Sequence, residues 1–188
     1  MPVPSICQQT QRLADNFADS EIKHVVITGG EPMLPREMED LCQSLKMANF
    51  HITIETAGTI FRQLPCDLMS ISPKFSNSTP SQERAGRWRE RHERTRYQPK
   101  TVRSLIANYD FQLKFVVDSP ADLDEVTIFL DVIEYPASAL KQVLLMPQGI
   151  DQQQLQQKSE WLEPLCRQSG FTYCPRRHIE WYGNRRGT

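Results

Sequence analysis

Short apolar segments alternate along this chain with longer amphipathic segments, and this alternation limits the fold more than any other feature. Five segments rich in apolar and β-branched residues are predicted to be strands: His24–Thr28, His51–Glu55, Asp67–Ser72, Phe111–Val117 and Lys141–Met146. The first is a nearly continuous apolar run, as expected of a strand that is buried on both faces. Strands that alternate with helices pair in parallel through right-handed crossovers. We therefore predict an α/β fold, either a partial β/α barrel or an open doubly wound sheet.

The amphipathic segments are predicted to be helices. They are Ser5–Ala18, Pro35–Ala48, Ser119–Ile133 and Gln152–Ser169. Ser119 is expected to cap the third helix and Gly170 to end the fourth. The sequence shows no internal repeat and no low-complexity linker, so residues 1–188 are predicted to form a single domain.

Composition argues against several classes of protein. The longest apolar run, Val143–Met146, is far shorter than the roughly 20 residues of a membrane-spanning helix, so no membrane association is expected. The first residues lack a basic stretch followed by an apolar one, so no secretory signal is expected and we assign the chain to the cytoplasm. With 22 basic and 23 acidic residues, the formal charge is −1, and the chain as a whole is not expected to bind nucleic acid.

The cysteine pattern argues against a disulfide scaffold and against a self-contained metal site. The five cysteines are Cys7, Cys42, Cys66, Cys166 and Cys174. Their number is odd and the two nearest are eight residues apart, so a reducing compartment is the simplest setting. No Cys-x-x-Cys pair occurs, so neither a zinc ribbon nor an iron–sulfur binding loop can be read from the chain.

One internal segment is strongly basic. Ser81–Arg103 carries eight Lys or Arg residues against three Glu, with Trp88 and Tyr97 between them. A basic helix that binds RNA or another acidic partner is one interpretation. We favour a solvated helical face, because Glu83–Arg87 and Glu90–Arg94 have the spacing of ion pairs within a helix. The tail after Cys174 carries a second group of arginines around apolar residues.

Most of the predicted strands end in residues that suit ligand binding, and ligands of parallel β/α folds bind at strand ends. Thr28–Pro32 (TGGEP) has two glycines where a ligand can approach the backbone closely. Glu55 stands at the next strand tip, where it suits ribose hydroxyls or a ring N–H. Ser72–Lys74 offers a hydroxyl and a cation for a carboxylate, and Met146–Gln148 adds a thioether and an amide. Lys114, inside an apolar strand, needs an anionic partner if it is buried.

Each of these motifs alone is also common in turns that bind no ligand. Their recurrence at successive strand ends is what indicates a binding site. Five strings resemble the 7-carboxy-7-deazaguanine synthase family of radical S-adenosylmethionine (SAM) enzymes, over a range from about Ile22 to Thr188. They are VVITGGEPML (Val25–Leu34), ITIETAGTIF (Ile52–Phe61), MSISPKF (Met69–Phe75), LKFVV (Leu113–Val117) and PRRHIEWYGNRRGT (Pro175–Thr188).

The resemblance implies an abridged β/α barrel that uses SAM, a 4Fe–4S cluster and magnesium. It also implies a lyase that converts 6-carboxy-5,6,7,8-tetrahydropterin into 7-carboxy-7-deazaguanine in queuosine biosynthesis. The implied electron donor is a flavodoxin or ferredoxin, and a homodimer is compatible with the resemblance. The residues implied to bind SAM are Gly29, Gly30, Glu31, Ser72, Pro73, Lys74, Met146, Pro147 and Gln148. The residues implied to bind the substrate are Thr28, Glu55 and Lys114. No catalytic residue is assigned.

The sequence departs from the family at the cluster. Family members begin with a strand and a loop whose closely spaced cysteines hold the cluster, and a Thr or Ser after them helps to bind magnesium. This chain starts at the helix expected to follow that loop, and Cys7 lies within that helix. We therefore expect no metal ligand here, a barrel truncated at its first strand, and an exposed opening strand that promotes aggregation.

Two origins and two other functions stay open. The chain is either a fragment or mis-started reading frame of a normal enzyme, which we favour, or a true short protein that has lost catalysis. In both cases the polypeptide as given is predicted to be inactive. The alternatives in function are a non-catalytic module that binds SAM, a pterin or RNA, and another radical SAM activating enzyme.

Overall fold

The computed structural model describes residues 1–16 and 23–185. In this part of the chain the strands are β1 (His24–Ile27), β2 (His51–Thr56), β3 (Leu68–Ile71), β4 (Phe111–Val117), β5 (Val143–Pro147) and β6 (Thr172–Tyr173). The helices are α1 (Val3–Asp15), α2 (Met38–Met47), α3 (Gln82–Ala85), α4 (Arg87–Arg96), α5 (Pro99–Asn108), α6 (Asp122–Val132), α7 (Gln152–Ser169) and α8 (Arg177–Tyr182).

The strands form one parallel sheet in the order β1-β2-β3-β4-β5-β6. A doubly wound sheet reverses its strand order at a switch point, whereas this sheet runs in sequence order from one edge to the other. Right-handed crossovers then place the connecting helices on the same face of the sheet. The fold is therefore an α/β fold of the partial-barrel type, and the open doubly wound alternative is excluded.

Side chains on each central strand alternate between the two faces of the sheet. In β4, Leu113, Phe115 and Val117 are fully buried, whereas Lys114 and Val116 point the other way and are partly covered. The buried set packs under the helices, and burial of each such side chain contributes roughly 1.5–3 kcal/mol. The helix-covered face is thus the hydrophobic core, and the opposite face is left for polar side chains.

β1 differs from the prediction of a strand buried on both faces, which was wrong. Among the described residues, β1 pairs with β2 alone and lies at the sheet edge. Val26 is 57% exposed, while Val25 and Ile27 on the other face pack against the core. The opening strand of the sheet is therefore exposed on one face, and its aggregation stays a prediction.

The starts of α1 and α6 differ from the sequence predictions. α1 begins at Val3, and the predicted helix end at Ala18 lies outside the described residues. The predicted Ser119 cap is wrong. α6 begins at Asp122, whose carboxylate accepts hydrogen bonds from the backbone N–H groups of Asp118 (2.6 Å) and Ser119 (3.1 Å).

Other boundaries shift by a few residues. α2 begins at Met38 rather than at Pro35, and β5 begins at Val143 because the preceding Ala137–Gln142 segment forms a 3₁₀ helix. α7 matches its prediction, and Gly170 ends it in the left-handed conformation. The short strand β6 was not predicted.

The basic segment is divided into three helices rather than one. Gly86 separates α3 from α4, and α4 buries none of its residues, in agreement with a solvated face. Within α4, Glu93 pairs with Arg96 at 3.0 Å, and neither of the two pairs predicted from spacing forms among the residues that the structure describes. No helix in the described part of the chain is both long and apolar enough to cross a membrane.

Candidate active site at the carboxyl ends of the strands

A cavity of about 510 Å³ opens at the carboxyl ends of the strands, on the face that the helices leave uncovered. Eight of the residues singled out from the sequence line it: Thr28, Gly29, Gly30, Glu55, Ser72, Lys74, Lys114 and Met146. They converge because the register places neighbouring strand ends side by side, with Glu55 beside Ser70 and Val116 beside Met146. Residues far apart in sequence thus share one cavity.

A carboxylate held by two neighbours occupies one side of the cavity. Lys114 donates from Nζ to Oε1 of Glu55 at 2.8 Å, and Thr28 donates from Oγ1 to Oε2 at 3.2 Å. β3 lies between the strands of this ion pair, and its small Ser70 lies beside Glu55 in the register. Burial opposes ionisation of Glu55, but the hydrogen bond and charge of Lys114 outweigh it and hold the carboxyl pKa below its usual value. Glu55 is therefore an ionised hydrogen-bond acceptor at neutral pH.

The glycines after β1 leave backbone open to a ligand. Gly29 has a φ of +104° and Gly30 a φ of +50°, both in the region that favours glycine. No atom lies within 4 Å of where a Cβ would stand on either residue, so the space beside them is open. A ligand can therefore contact the peptide groups of this loop directly.

Lys74 brings a cation to the cavity without a carboxylate partner. Its Nζ donates to Oγ of Ser72 at 3.2 Å, and no described carboxylate lies within ion-pair distance of it. Burial and then the charge of Lys114 lower the pKa of Lys74, while Glu55 opposes the shift. The Ser72–Lys74 pair can donate hydrogen bonds to an anionic group of a ligand.

Seven lining residues were not predicted. They are Thr56, Ala57, Val116, Pro175, Arg176, Arg177 and His178. Most of them come from the tail after β6, a strand of two residues that leaves no recognisable pattern in the sequence. The tail arginines were noticeable by composition, but composition does not show which of them face the cavity.

Four residues implied to bind SAM lie outside the cavity wall. Glu31 accepts hydrogen bonds from the hydroxyls of Thr56 (2.8 Å) and Thr59 (3.0 Å) and so ties the loop after β1 to the end of β2. Pro147 faces the core side of β5. The remaining two are Pro73, which is buried, and Gln148.

Gln148 is engaged by the protein itself. Its backbone N–H donates to the carbonyl of Val117 at 2.7 Å, and its carbonyl accepts from Nζ of Lys158 at 2.7 Å. It extends the pairing of β5 with β4 beyond the last residue of the strand. These two hydrogen bonds hold the loop after β5 in place, so its shape does not depend on a ligand.

The cysteines do not fit an iron–sulfur cluster. In residues 1–16 and 23–185, no group of three or more His, Cys, Asp or Glu side chains could hold a metal ion. A cubane cluster needs thiolates that converge. Burial instead raises the pKa of both Cys42 and Cys166 to about 11, which favours the neutral thiol. SAM, in contrast, needs no thiolate from the cavity, and the open glycine loop and the polar wall suit it.

No family model matches the chain, but curated relatives do. The 7-carboxy-7-deazaguanine synthase of Rhodopirellula baltica is 42% identical over 182 residues, which cover 96% of this chain and 70% of the relative. That of Halobacterium salinarum is 38% identical over 163 residues, 83% of this chain and 63% of the relative.

Solved structures share the fold at low identity. QueE from Escherichia coli superposes with a TM-score of 0.59 at 17% identity, over 90% of this chain and 63% of that one. SuiB of Streptococcus suis, in a crystal structure with bound S-adenosylmethionine, superposes with a TM-score of 0.61 at 12% identity, over 97% of this chain and 49% of that one.

Proposed function

The chain belongs to the 7-carboxy-7-deazaguanine synthase family of radical SAM lyases, and from this premise we propose that its strand-end cavity binds SAM and a carboxylated pterin. The observation that carries the proposal is the convergence of Gly30, Glu55, Lys74 and Lys114 on one cavity. Scattered over unrelated faces, these residues would have no common ligand. The reaction of the whole enzyme is then the conversion of 6-carboxy-5,6,7,8-tetrahydropterin into 7-carboxy-7-deazaguanine.

The proposed roles follow from the chemistry of each group. The ionised Glu55 accepts hydrogen bonds from ring N–H groups of the pterin, and Lys114 and Thr28 hold its two oxygens in place. Ser72 and Lys74 donate to a carboxylate, and the glycine loop contacts SAM through its backbone. If a reduced cluster were bound beside it, SAM would supply the radical that begins the family's reaction.

The described residues provide no group of three or more His, Cys, Asp or Glu side chains that could hold a cluster or a magnesium ion. The proposal for this chain is therefore binding and orientation of the two ligands. That the chain alone does not cleave SAM stays a prediction. The electron donor and the homodimer also stay expectations from the resemblance.

Binding is tested by calorimetric titration of the chain with SAM and with 6-carboxypterin, the oxidised and more stable relative of the substrate. We expect both compounds to bind. Glu55→Gln should lower the affinity for 6-carboxypterin, because an amide nitrogen replaces an acceptor oxygen. Glu39→Gln is the matched control, since Glu39 lies exposed on α2, where it accepts a hydrogen bond from Gln43. Absence of binding, or equal effects of the two variants, would contradict the proposal.

Catalysis is tested by anaerobic reconstitution with iron and sulfide. Because we predict that the chain alone is inactive, we expect no 5′-deoxyadenosine to form from SAM. Formation of that product, or binding of about four irons per chain, would show that the cysteines of this chain can assemble a cluster. Formation of 7-carboxy-7-deazaguanine, as opposed to another product, would separate this activity from that of another radical SAM enzyme.

A second candidate is RNA binding, which would use the exposed positive charge of α4. α4 buries no residue, and its Arg87, Arg89, Arg91 and Arg94 are exposed. Filter binding of tRNA at low and high salt tests it, since phosphate contacts weaken steeply as salt rises. Retention of tRNA at low salt that is lost in a variant with these arginines changed to Gln would support the candidate.

A further inference from the structure

The cavity contains more positive than negative charge, and two of its cations lack a carboxylate partner. Lys114 is paired with Glu55 at 2.8 Å, and Arg177 with Glu180 at 2.8 Å. For Lys74 and Arg176, the described residues provide no carboxylate within ion-pair distance. The protein thus leaves two positive charges in one cavity without a counterion of its own.

Arg176 is held in place by the backbone and yet is incompletely bonded. Its Nη1 donates to the carbonyl of Gly149 at 3.1 Å, which anchors the guanidinium at the cavity wall. Its Nε is buried and has no hydrogen-bond partner. A buried N–H donor without a partner costs free energy comparable to a lost hydrogen bond, so this donor is expected to meet an acceptor in the bound state.

The acceptor is not a neighbouring protein group. Cys174 lies close to Arg176 in sequence, but burial raises the pKa of its thiol, which therefore stays neutral and provides no counterion. Burial also lowers the pKa of Lys74 and of Arg176, as expected of cations whose charge is not balanced locally. A guanidinium nevertheless keeps its charge in a protein, so an anion is needed.

We propose that Arg176, together with Lys74, forms a subsite that binds a carboxylate of the ligand in this cavity. The planar fork of an arginine matches a carboxylate, and the anchored Nη1 leaves Nε and Nη2 for that contact. This inference rests on the proposed function, in which both ligands carry a carboxylate: the amino-acid end of SAM and the ring substituent of the pterin. The sequence motifs do not include Arg176 in either set.

The test uses two pairs of ligands that differ by the carboxylate. SAM is compared with decarboxylated SAM, and 6-carboxypterin with pterin, each by calorimetric titration of the full chain. In Arg176→Gln we expect the affinity for the carboxylated member of one pair to fall about tenfold to a hundredfold, the range for loss of a hydrogen bond to a charged group. The affinity for the member without the carboxylate should not change.

The pair that responds identifies which carboxylate occupies the subsite. Arg167→Gln is the matched control, because Arg167 lies exposed on α7 and pairs with Glu163. If Arg176→Gln does not fold, Arg176→Lys takes its place in the test, since lysine keeps the positive charge but lacks the planar fork. This variant should lower the affinity for the carboxylated ligand alone.

Two results would overturn the inference while leaving the proposed function intact. One is an equal loss for both members of each pair, and the other is an unchanged preference for the carboxylate in Arg176→Gln. Failure of all four compounds to bind the unaltered chain would overturn the inference and the proposed function together.

Discussion

The two ends of the sheet each open into a cavity, and the cavities are similar in size but opposite in character. The one at the carboxyl ends measures about 510 Å³, and the one at the amino ends about 570 Å³. The second is lined by His51, Cys66, Asp67 and Tyr109 among others. Its size alone would make it the better candidate for a binding site.

The polar groups at the amino ends are largely occupied by the protein. Asp67 accepts from Nζ of Lys46 at 2.7 Å and from the backbone N–H of Ile52 at 2.7 Å. The hydroxyl of Tyr109 accepts from the N–H of Leu64 and donates to the carbonyl of Arg62, both at 2.7 Å. These bonds hold the segment before β3 against the strand starts.

Unpaired groups occur at the amino ends too, because the exposed carboxylate of Asp110 lines the cavity and has no ion-pair partner among the described residues. Nδ1 of His51 is buried without a hydrogen-bond partner, and the ring stacks on His24 at 4.5 Å between centroids. At the carboxyl ends, in contrast, Lys74 and Arg176 bring whole charges without counterions. Lys74 and Arg176 are partly buried, whereas Asp110 is exposed, so unpaired charge that is partly buried, more than volume, distinguishes the binding cavity from the structural one, in agreement with the division of roles between the two ends of β/α barrels.

The largest expected effect comes from breaking one ion pair at each end. Lys114→Met should lower the affinity of the cavity for 6-carboxypterin about a hundredfold, because Glu55 loses the cation that orients its carboxylate and lowers its pKa. Lys46→Met removes a pair of nearly equal length at the other end and should leave this affinity unchanged. Titration calorimetry of both variants measures the difference. Equal losses would erase the distinction between the two ends.

A smaller effect is expected on stability. Tyr109→Phe should lower the free energy of unfolding by about 1–3 kcal/mol, because the N–H of Leu64 loses its acceptor in a partly buried position. Ligand affinity should not change. Tyr182→Phe is the control, since Tyr182 is 51% exposed, and urea denaturation measures both. An unchanged stability in Tyr109→Phe would mean that these hydrogen bonds do not hold the amino end.

Acid should weaken both ends of the sheet. The folded-state pKa is lowered at Glu55, where burial opposes the effect of Lys114, and at Asp67, where burial opposes Lys46 and the N–H of Ile52. The stability that each carboxylate contributes is therefore present above its unfolded-state pKa and is lost as the pH falls through its folded-state value.

Unfolding measured from pH 7 to pH 3 should show this loss. In each of the variants Glu55→Gln and Asp67→Asn, the free energy of unfolding should fall less steeply as the pH is lowered. If the pH dependence of the free energy of unfolding is the same in both variants and in the unaltered chain, neither ion pair contributes to stability.

The smallest expected effect concerns a residue that positions Lys74. Arg96 is 14% exposed in its side chain, donates to the carbonyl of Lys74 at 3.3 Å and lies 3.6 Å from Glu125. Arg96→Met should lower the affinity for the carboxylated ligand about threefold to tenfold, the range for one net hydrogen bond, without affecting the ligand that lacks the carboxylate. Arg94→Met, on the exposed side of α4, should have no effect. A loss for both ligands would indicate a general role in folding.

Much of the fold was predictable because local patterns determine it. The runs of β-branched residues predicted the bounds of β2 and β4 to within one residue, and Gly170 predicted the end of α7. The prediction for β1 failed because hydrophobicity along a strand does not show its place in the sheet. An edge strand and a central strand can carry the same apolar residues, and the strand order decides which of them is covered.

The site was predictable in part for the same reason. Glycines and polar residues at strand ends are visible in the sequence, and parallel pairing brings such ends together. Glu31 has the same appearance in the sequence as the residues beside it, yet its carboxylate is bonded to Thr56 and Thr59. Arg176 lies in the string PRRHIEWYGNRRGT, but it follows a strand of only two residues, so nothing in the sequence placed it at the cavity.

The amino-acid sequence by itself determined the order of strands and helices, the parallel pairing and the chemical groups at the strand ends, because these depend on residues near one another in the chain. Only the tertiary structure decided which charges are balanced. Lys114 reaches Glu55 across 59 residues of sequence, whereas Lys74 and Arg176 meet no carboxylate at all among the described residues. An ion pair depends on distances in space, and those are set by packing of the whole sheet.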